Sequence, residues 1–407
     1  MGVNNKMASR PKLAVVATHP TQHYAPVYRR IAETGSLDLS VFYYSDCGAK
    51  AAYDPGFGRE VQWDVDLTSG YPHQFLEPGS AVSGRGFWAI DSSRLVGALE
   101  RYDADAVLVY GYSNRMAWRA WRWAARKGRL LLYVSDTNVL GDRGLLKRAA
   151  KQCVLRYFFR NIGIFCAASD RNLQYLKRYG ASESRIRRCP LPVDLSRFTR
   201  MGDRERHSVR REARKRHGIP EEALAILFCG KLVPWKRPKD VLEALKLLKV
   251  RYPHAVGVVA GSGPLEEALG TWARDNLPAD SVRWLGFVNQ SDILSVYRMA
   301  DVVAIPSSRE PHGLVATEAA ACGLPIIASD RLGCIGPNDV VRHEVNGLVY
   351  RCGNVHQLAE SIAELAESPA KRKKMGEESL RIAETQDVRV AATAIEDAVL
   401  GIWASVR

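Results

Sequence analysis

No stretch of this chain reaches the about 18 consecutive apolar residues that a membrane-crossing helix needs, and Met1 to Lys12 is too polar for a secretory leader. Spanning a membrane is excluded on that count; lying on one is not. N-myristoylation at Gly2 would need Ser or Thr where Lys6 stands. The eight cysteines (Cys47, Cys153, Cys166, Cys189, Cys229, Cys322, Cys334 and Cys352) form no C-x2-C pair and have no histidine at ligand spacing. A chain of this size needs no disulfide staples, so reduced thiols in the cytosol are expected. A complete G-x-G-x-x-G with a downstream acid is also missing, which argues against NAD-dependent redox chemistry.

What is present is the composition of a globular protein, 46% hydrophobic and 25% charged. Its 407 residues exceed what one hydrophobic core usually organises, so two domains are expected. The formal net charge of +14 attracts anions, whether nucleotide phosphates, lipid headgroups or nucleic acid.

Apolar runs and helical periodicity alternate along the chain. Strands are expected at 13–17, 39–44, 106–110 and 130–134, with helical patterns between them. A run rich in Arg204, Arg206, Arg210, Arg211, Arg214, Lys215 and Arg216 then breaks the pattern, and the interdomain junction is placed there. The alternation restarts with strands at 225–229, 255–260, 282–285, 302–305 and 325–328. The expectation is an α/β protein of two doubly wound, Rossmann-like domains facing across a cleft. The bounds are 1–196 for the first domain, 197–220 for a basic linker and 221–385 for the second. Residues 386–407 form a C-terminal helix packing back on the first.

The densest chemistry lies in the second half. Gly230 and Lys231 follow a strand, and Lys236 comes five residues later; two cations beside a glycine turn suit a diphosphate whose charge grows as a bond breaks. Gly261-Ser262-Gly263-Pro264 closes the next strand, where missing side chains would let a nucleotide approach backbone amides. After the strand at 302–305 come Glu310 and Glu318. A helix starting at Gly313 or Leu314 would aim free amides at the place Glu310 occupies, and Glu318, about one turn in, can accept hydrogen bonds from vicinal hydroxyls such as those of a ribose.

In this order, each at a strand end, these motifs resemble the retaining glycosyltransferases of the GT-B fold, the group 1 family with paired glutamates in a Glu-x7-Glu pattern. The resemblance is most specific from Phe228 to Val349 and includes Leu285-Gly286-Phe287-Val288 and Asn346-Gly347-Leu348-Val349. It implies transfer of a sugar from a nucleotide diphosphate donor, UDP-sugars being mildly preferred, in the interdomain cleft. By position it implies that Lys231 and Lys236 hold the diphosphate, that Glu310 contacts the transferred sugar and that Glu318 contacts the ribose. Gly313, Leu314 and Val315 would offer amides, and Val288 would lie near the base. His312 stands where the family often has Phe; it either touches the donor sugar or fills space.

The first half departs from the family. A His19-Pro20-Thr21-Gln22-His23 loop replaces the glycine-rich loop expected after the first strand, and its polar side chains His19, Thr21, Gln22 and His23 are candidates for gripping acceptor or phosphate. Ser135 and Asp136 occupy the place of a family histidine, and Asp136 is the candidate for orienting a sugar hydroxyl.

No cofactor is expected beyond the donor substrate. The D-x-D pairs Asp64/Asp66 and Asp103/Asp105 lie away from the donor motifs, so no metal is expected either. The acceptor stays open among glycan, lipid-linked and small-molecule classes. The stripe Arg115, Arg119, Arg122 and Arg126, flanked by Trp118 and Trp121, suggests peripheral contact with an anionic membrane, at its cytoplasmic face, or else an ordinary amphipathic helix. Nucleic acid is not an expected partner, since no RNA-binding aromatic signature or helix-turn-helix is present. The rivals are an epimerase or phosphorylase of the same fold, and a non-catalytic binder of polyanions or lipid surfaces.

Overall fold

The computed structural model describes residues 10–82, 86–141, 144–199 and 202–406. In the first lobe the strands are β1 (Lys12–Ala17), β2 (Asp38–Tyr43), β3 (Ala52–Asp54), β4 (Arg59–Val61), β5 (His73–Phe75), β6 (Ala106–Tyr110), β7 (Leu130–Ser135), β8 (Ile164–Ala167) and β9 (Ile186–Arg188). Seven of them form one parallel sheet in the order β5-β2-β1-β6-β7-β8-β9, while β3 and β4 pair as an antiparallel hairpin outside it. Along β1, Leu13 and Val15 enter one apolar cluster and Ala14 and Val16 another, so helices cover both faces. That is why the run reads as continuously apolar.

The second lobe repeats the plan with β10 (Ala225–Cys229), β11 (Val256–Ala260), β12 (Val282–Gly286), β13 (Val302–Ile305), β14 (Ile326–Ser329) and β15 (Gly347–Tyr350), in the order β12-β11-β10-β13-β14-β15. In both sheets the order reverses beside the first strand, which creates a crevice at the strand C-termini. Strands β5, β8, β9 and β15 were not among the expected ones. The first and third are short edge pieces of three residues each, too brief for a periodicity to register.

The arginine-rich run corrects the sequence reading most clearly. Expected to be a solvated linker, it contains helix Asp203–Arg216, which is clamped to the second lobe. Arg214 is wholly buried and donates to the carbonyls of Met299 (3.0 Å), Pro220 (2.9 Å), Glu221 (2.7 Å) and Ala223 (3.1 Å), and to Asp301 Oδ2 (2.7 Å). Asp301 also accepts from Arg210 (2.7 Å) and from the Ala225 amide that opens β10 (2.8 Å). A buried cation is tolerable only when its donors are met in this way.

Between the lobes the chain passes twice, side by side. The Val193 amide donates to the Gln386 carbonyl (3.1 Å), and the Leu195 amide to Asp387 Oδ2 (3.3 Å). Beyond this crossing helix Val388–Val406 lies on the first lobe, where Ala391, Ala392, Ile395 and Val399 share an apolar cluster with Leu13 and Ile31. Ser36 donates to Glu396 of that helix (2.6 Å).

Arg214→Ala should cost on the order of 3–5 kcal/mol by urea unfolding, since it strands Asp301 and several carbonyls, whereas exposed Lys215→Ala should stay within about 0.5 kcal/mol. Equal effects would mean that the clamp contributes nothing.

Candidate active site

The loops leaving β10 and β13 meet at the crevice of the second lobe. Residues 234–236 make a tight turn after β10, and the Ser308 amide donates to the Trp235 carbonyl (2.8 Å), tying the two loops together. This brings Lys236 Nζ onto Glu310 Oε2, which also accepts from Ser307 Oγ (3.2 Å). The Glu310 carbonyl accepts from the Gly333 amide (2.9 Å), fixing the loop from behind.

Helix Leu314–Ala321 begins after Gly313, whose φ of 99° suits glycine alone, so the first amides at Gly313, Leu314 and Val315 lie at the positive end of the helix. Glu318, one turn further, accepts from the Tyr297 hydroxyl (2.6 Å); burial raises its carboxyl and this hydrogen bond opposes the rise. Lys236, Glu310, the helix start and Glu318 thus lie on neighbouring loops and the first turns of one helix at the C-terminal end of the sheet.

The glycines meet a packing demand of their own. The Gly261 amide is committed to the Gly286 carbonyl (2.7 Å), and a Cβ on Gly261 would stand 1.8 Å from the Gly230 carbonyl oxygen. A Cβ on Gly263 would fall within 2.9 Å of the Leu232 and Gly56 backbones. Gly261 and Gly263 therefore let protein backbone approach protein backbone, a packing requirement that the sequence reading had not named.

Across the cleft the first lobe supplies a second set of groups. Lys231 Nζ pairs with both carboxylate oxygens of Asp54 (2.8 and 2.7 Å), at the tip of the β3–β4 hairpin. The hairpin continues over the second lobe: Phe57 and Trp63 pack on Phe287, Ser262 Oγ donates to the Phe57 carbonyl (3.1 Å), and Asn289 donates to the Gln62 carbonyl (2.7 Å). Val288 lies in this covered loop, packed against the second-lobe core. Beside the hairpin is a cavity of about 500 Å³ bordered by His19, Asp54, Trp63, Lys231 and Trp235.

His23 and His312 meet at the floor of the cleft. His312 is 3% exposed, and neither of its ring nitrogens has a partner. Burial lowers its pKa to about 4, and the neighbouring charges of His23 and Arg188 push the same way. His23 is also lowered to about 4, by burial first and His19 second, and its Nδ1 is unpartnered. Two neutral imidazoles with unmet hydrogen bonds are suited to sugar hydroxyls. Space-filling alone leaves the His312 nitrogens unexplained.

Asp136 keeps solvent contact along the cleft yet is hemmed in by protein, which raises its carboxyl, and the negative charge of Glu310 adds to the rise. Ser135 is turned inward, toward Asn172 (3.4 Å). His19 Nδ1 pairs with Thr18 Oγ1 (2.9 Å), while Thr21 and Gln22 stay on the turn that starts helix Ala25–Thr34.

Several site residues escaped the sequence reading. Asp54 sits in an Asp-Pro-Gly-Phe-Gly stretch that reads only as a turn. Asn138 reaches across to the Pro311 carbonyl (3.0 Å), and Arg171 to the carbonyl of Asp330 (3.0 Å). Arg188 bonds Asp170 and, at 3.4 Å, Asp339, whose carboxyl burial raises to about 6. None of these carries a local motif. The D-x-D aspartates are engaged elsewhere: Asp64 with the Ser291 amide (3.1 Å), Asp66 with the amides of Thr68 and Ser69 (3.0 Å each), and Asp103 and Asp105 with Arg129.

Residues 209–381 match the family model described as glycosyl transferases group 1. The D-inositol 3-phosphate glycosyltransferase of Salinispora arenicola (strain CNS-205) is 36% identical over 184 residues, covering 43% of this chain and 40% of that protein. Its namesake from Saccharomonospora viridis is 36% identical over 209 residues, covering 49% and 46%. The chain thus spans less than half the length of these curated relatives. Among solved structures, Anabaena Alr3699/HepE in complex with UDP superposes with a TM-score of 0.72 at 18% identity, covering 96% of this chain and all of that one. WaaG, a glycosyltransferase involved in lipopolysaccharide biosynthesis, gives 0.67 at 16% identity over 96% of this chain and 100% of its own. The fold is the GT-B arrangement of two Rossmann-like lobes.

Because His312 is held at about 4 while a free histidine titrates near 6.5, the unfolded chain takes the proton first. Stability is therefore full above about pH 6.5 and falls as pH drops toward 4, by on the order of 3 kcal/mol from this residue. Urea unfolding at neutral and acid pH should show a smaller acid loss for His312→Phe than for the parent; equal losses would overturn the assignment.

Proposed function

We propose that the protein is a retaining glycosyltransferase that moves a sugar from a nucleotide diphosphate donor, UDP-sugars being preferred, to an acceptor bound against the first lobe. The observation that carries this reading is the meeting of Lys236, Glu310 and a helix N-terminus at the switch point of the second sheet, with Glu318 one turn deeper. The match of residues 209–381 to glycosyl transferases group 1 supports it.

In this reading Lys231 and Lys236 take the diphosphate, which displaces Asp54 and Glu310 from them. As the bond from the sugar anomeric carbon to the phosphate oxygen breaks, its electron pair goes to that oxygen, and the two cations and the helix dipole stabilise the growing charge. Glu318 accepts from the ribose hydroxyls, and Glu310, freed from Lys236, from the transferred sugar. His312, His23 and Asp136 orient sugar and acceptor hydroxyls. The acceptor oxygen attacks from the face the phosphate leaves, and its proton passes to the departing phosphate oxygen. Val288 and the hairpin flank the base. No metal is called on, because the lysines supply the positive charge, and the free cysteines fit a reducing cytosolic compartment. Glycan, lipid-linked and small-molecule acceptors all remain within this reading, and contact with an anionic bilayer would select the lipid-linked class.

Incubation with UDP-, GDP- and ADP-sugars should release nucleotide diphosphate slowly from one donor. Lys236→Ala should lower kcat by about 10²- to 10³-fold, and Glu318→Ala should act mainly by raising donor KM. No release and no thermal shift with any donor would overturn the transferase reading. EDTA should leave the rate unchanged; a loss restored by added magnesium would overturn metal independence.

A further inference from the structure

The basic tryptophan-bearing helix singled out in the sequence, Arg115–Lys127, keeps two of its three tryptophans inside. Trp121 and Trp123 are buried, Trp121 donates to the Phe158 carbonyl (2.7 Å), and Arg119 is paired with Asp91. Its neighbour, helix Leu145–Phe159, behaves in the opposite way. On one side it buries Leu155, Phe158 and Phe159 in the first-lobe core. On the other it carries a second apolar stripe into solvent: Leu146, Ala150, Val154 and Tyr157 follow helical spacing, with Leu146 88%, Val154 44% and Tyr157 47% exposed. Tyr157 stacks on Trp118, Phe87 packs on Trp118 in turn, and Trp88, 69% exposed, lies beside Phe87. The apolar strip therefore continues from the helix onto the adjoining loop.

The charge around this strip is mainly positive, Asp91 being paired with Arg115 and Arg119 at its edge. The helix sequence holds Lys147, Arg148, Lys151 and Arg156 and no acidic residue, Arg160 follows it, and Arg115 lies over the Trp88 ring (4.5 Å). A second copy of the chain meeting this face across a two-fold axis would bring like charges together. The complement of an apolar strip flanked by cations, with tryptophan and tyrosine at its edge, is an anionic bilayer surface.

The helix is also tied by a short span of chain to a residue of the cleft. Leu145 follows Asn138, which bonds the Pro311 carbonyl of the opposite lobe, by seven positions, a reach of at most about 25 Å. We propose that the helix Leu145–Phe159, with Trp88, rests on an anionic membrane surface and turns the cleft toward an acceptor held in that bilayer. The acceptor half of this inference rests on the transferase reading above; the bilayer contact does not.

Flotation of the full chain with vesicles tests the contact. Phosphatidylcholine vesicles containing phosphatidylglycerol should carry the protein upward at low salt, and pure phosphatidylcholine vesicles should not. Leu146→Asp and Val154→Asp should each weaken binding at least about tenfold. Val250→Asp, at a valine of the second lobe that is 89% exposed, should leave it unchanged. All three variants should retain donor hydrolysis. Failure of the parent to float, or flotation of the Asp variants like the parent, overturns the contact. So does a dimer in light scattering that Leu146→Asp converts to monomer without any flotation, which would mean that a second copy covers the strip. For the acceptor, label from a sugar-labelled donor incubated with lipids extracted from the source organism's membranes should enter the organic phase. Label found only in water-soluble product overturns the acceptor half. Flotation without donor turnover would sink the transferase reading and leave the contact standing.

Discussion

Two lysines at the C-terminal ends of one sheet each find their counter-charge in a carboxylate. Lys236 is held by Glu310 from the neighbouring loop of its own lobe, and Lys231 by Asp54 from the opposite lobe. The first pairing ties together the loops after β10 and β13; the second holds the β3–β4 hairpin against the second lobe. Both are partly exposed pairs, so an anion of higher charge can replace the carboxylates without leaving a buried ion stranded. The aromatic contacts of Phe57 and Trp63 with Phe287 hold the same hairpin against the second lobe.

The glycines set the tolerance of that arrangement. Strands β10 and β11 deliver Lys231 and the 261–264 turn close together because Gly261 offers no side chain to the Gly230 carbonyl. Gly263 does the same where the turn meets Gly56 of the hairpin. A lysine placed by backbone-to-backbone packing is placed more firmly than one on a free loop, which matters when its charge must meet a developing negative charge within hydrogen-bond range.

Much of the second lobe was legible because its signals are local. Strands β10, β11, β12, β13 and β14 are apolar runs bounded by Gly, Pro or charged residues, and the functional groups follow them at short range. Lys236 and Glu310, named from spacing, do meet in the fold, and the helix start near Gly313 was legible from the glycine itself. The first lobe was less legible, since its contribution comes from residues far apart in sequence. Asp54, Asn138, Arg171 and Arg188 carry no pattern, and their partners lie 177, 173, 159 and 151 positions away. The arginine-rich run misled because composition reports charge and cannot report that Asp301 and four carbonyls wait to bury Arg214.

The amino-acid sequence by itself determined the α/β alternation, the doubling of the domain, the placing of charged groups at strand ends and the class of ligand they suit. Those depend on periodicity and on residue chemistry within a few positions. Tertiary structure alone decided that the glycine turn brings backbones together, that His312 and His23 lie near each other with lowered pKa values, and that Asp54 pairs with Lys231. It also decided which of two neighbouring basic helices keeps its apolar stripe outside. Each of these depends on which groups meet once distant parts of the chain are brought together, and that is a property of the packed surfaces and not of any local run.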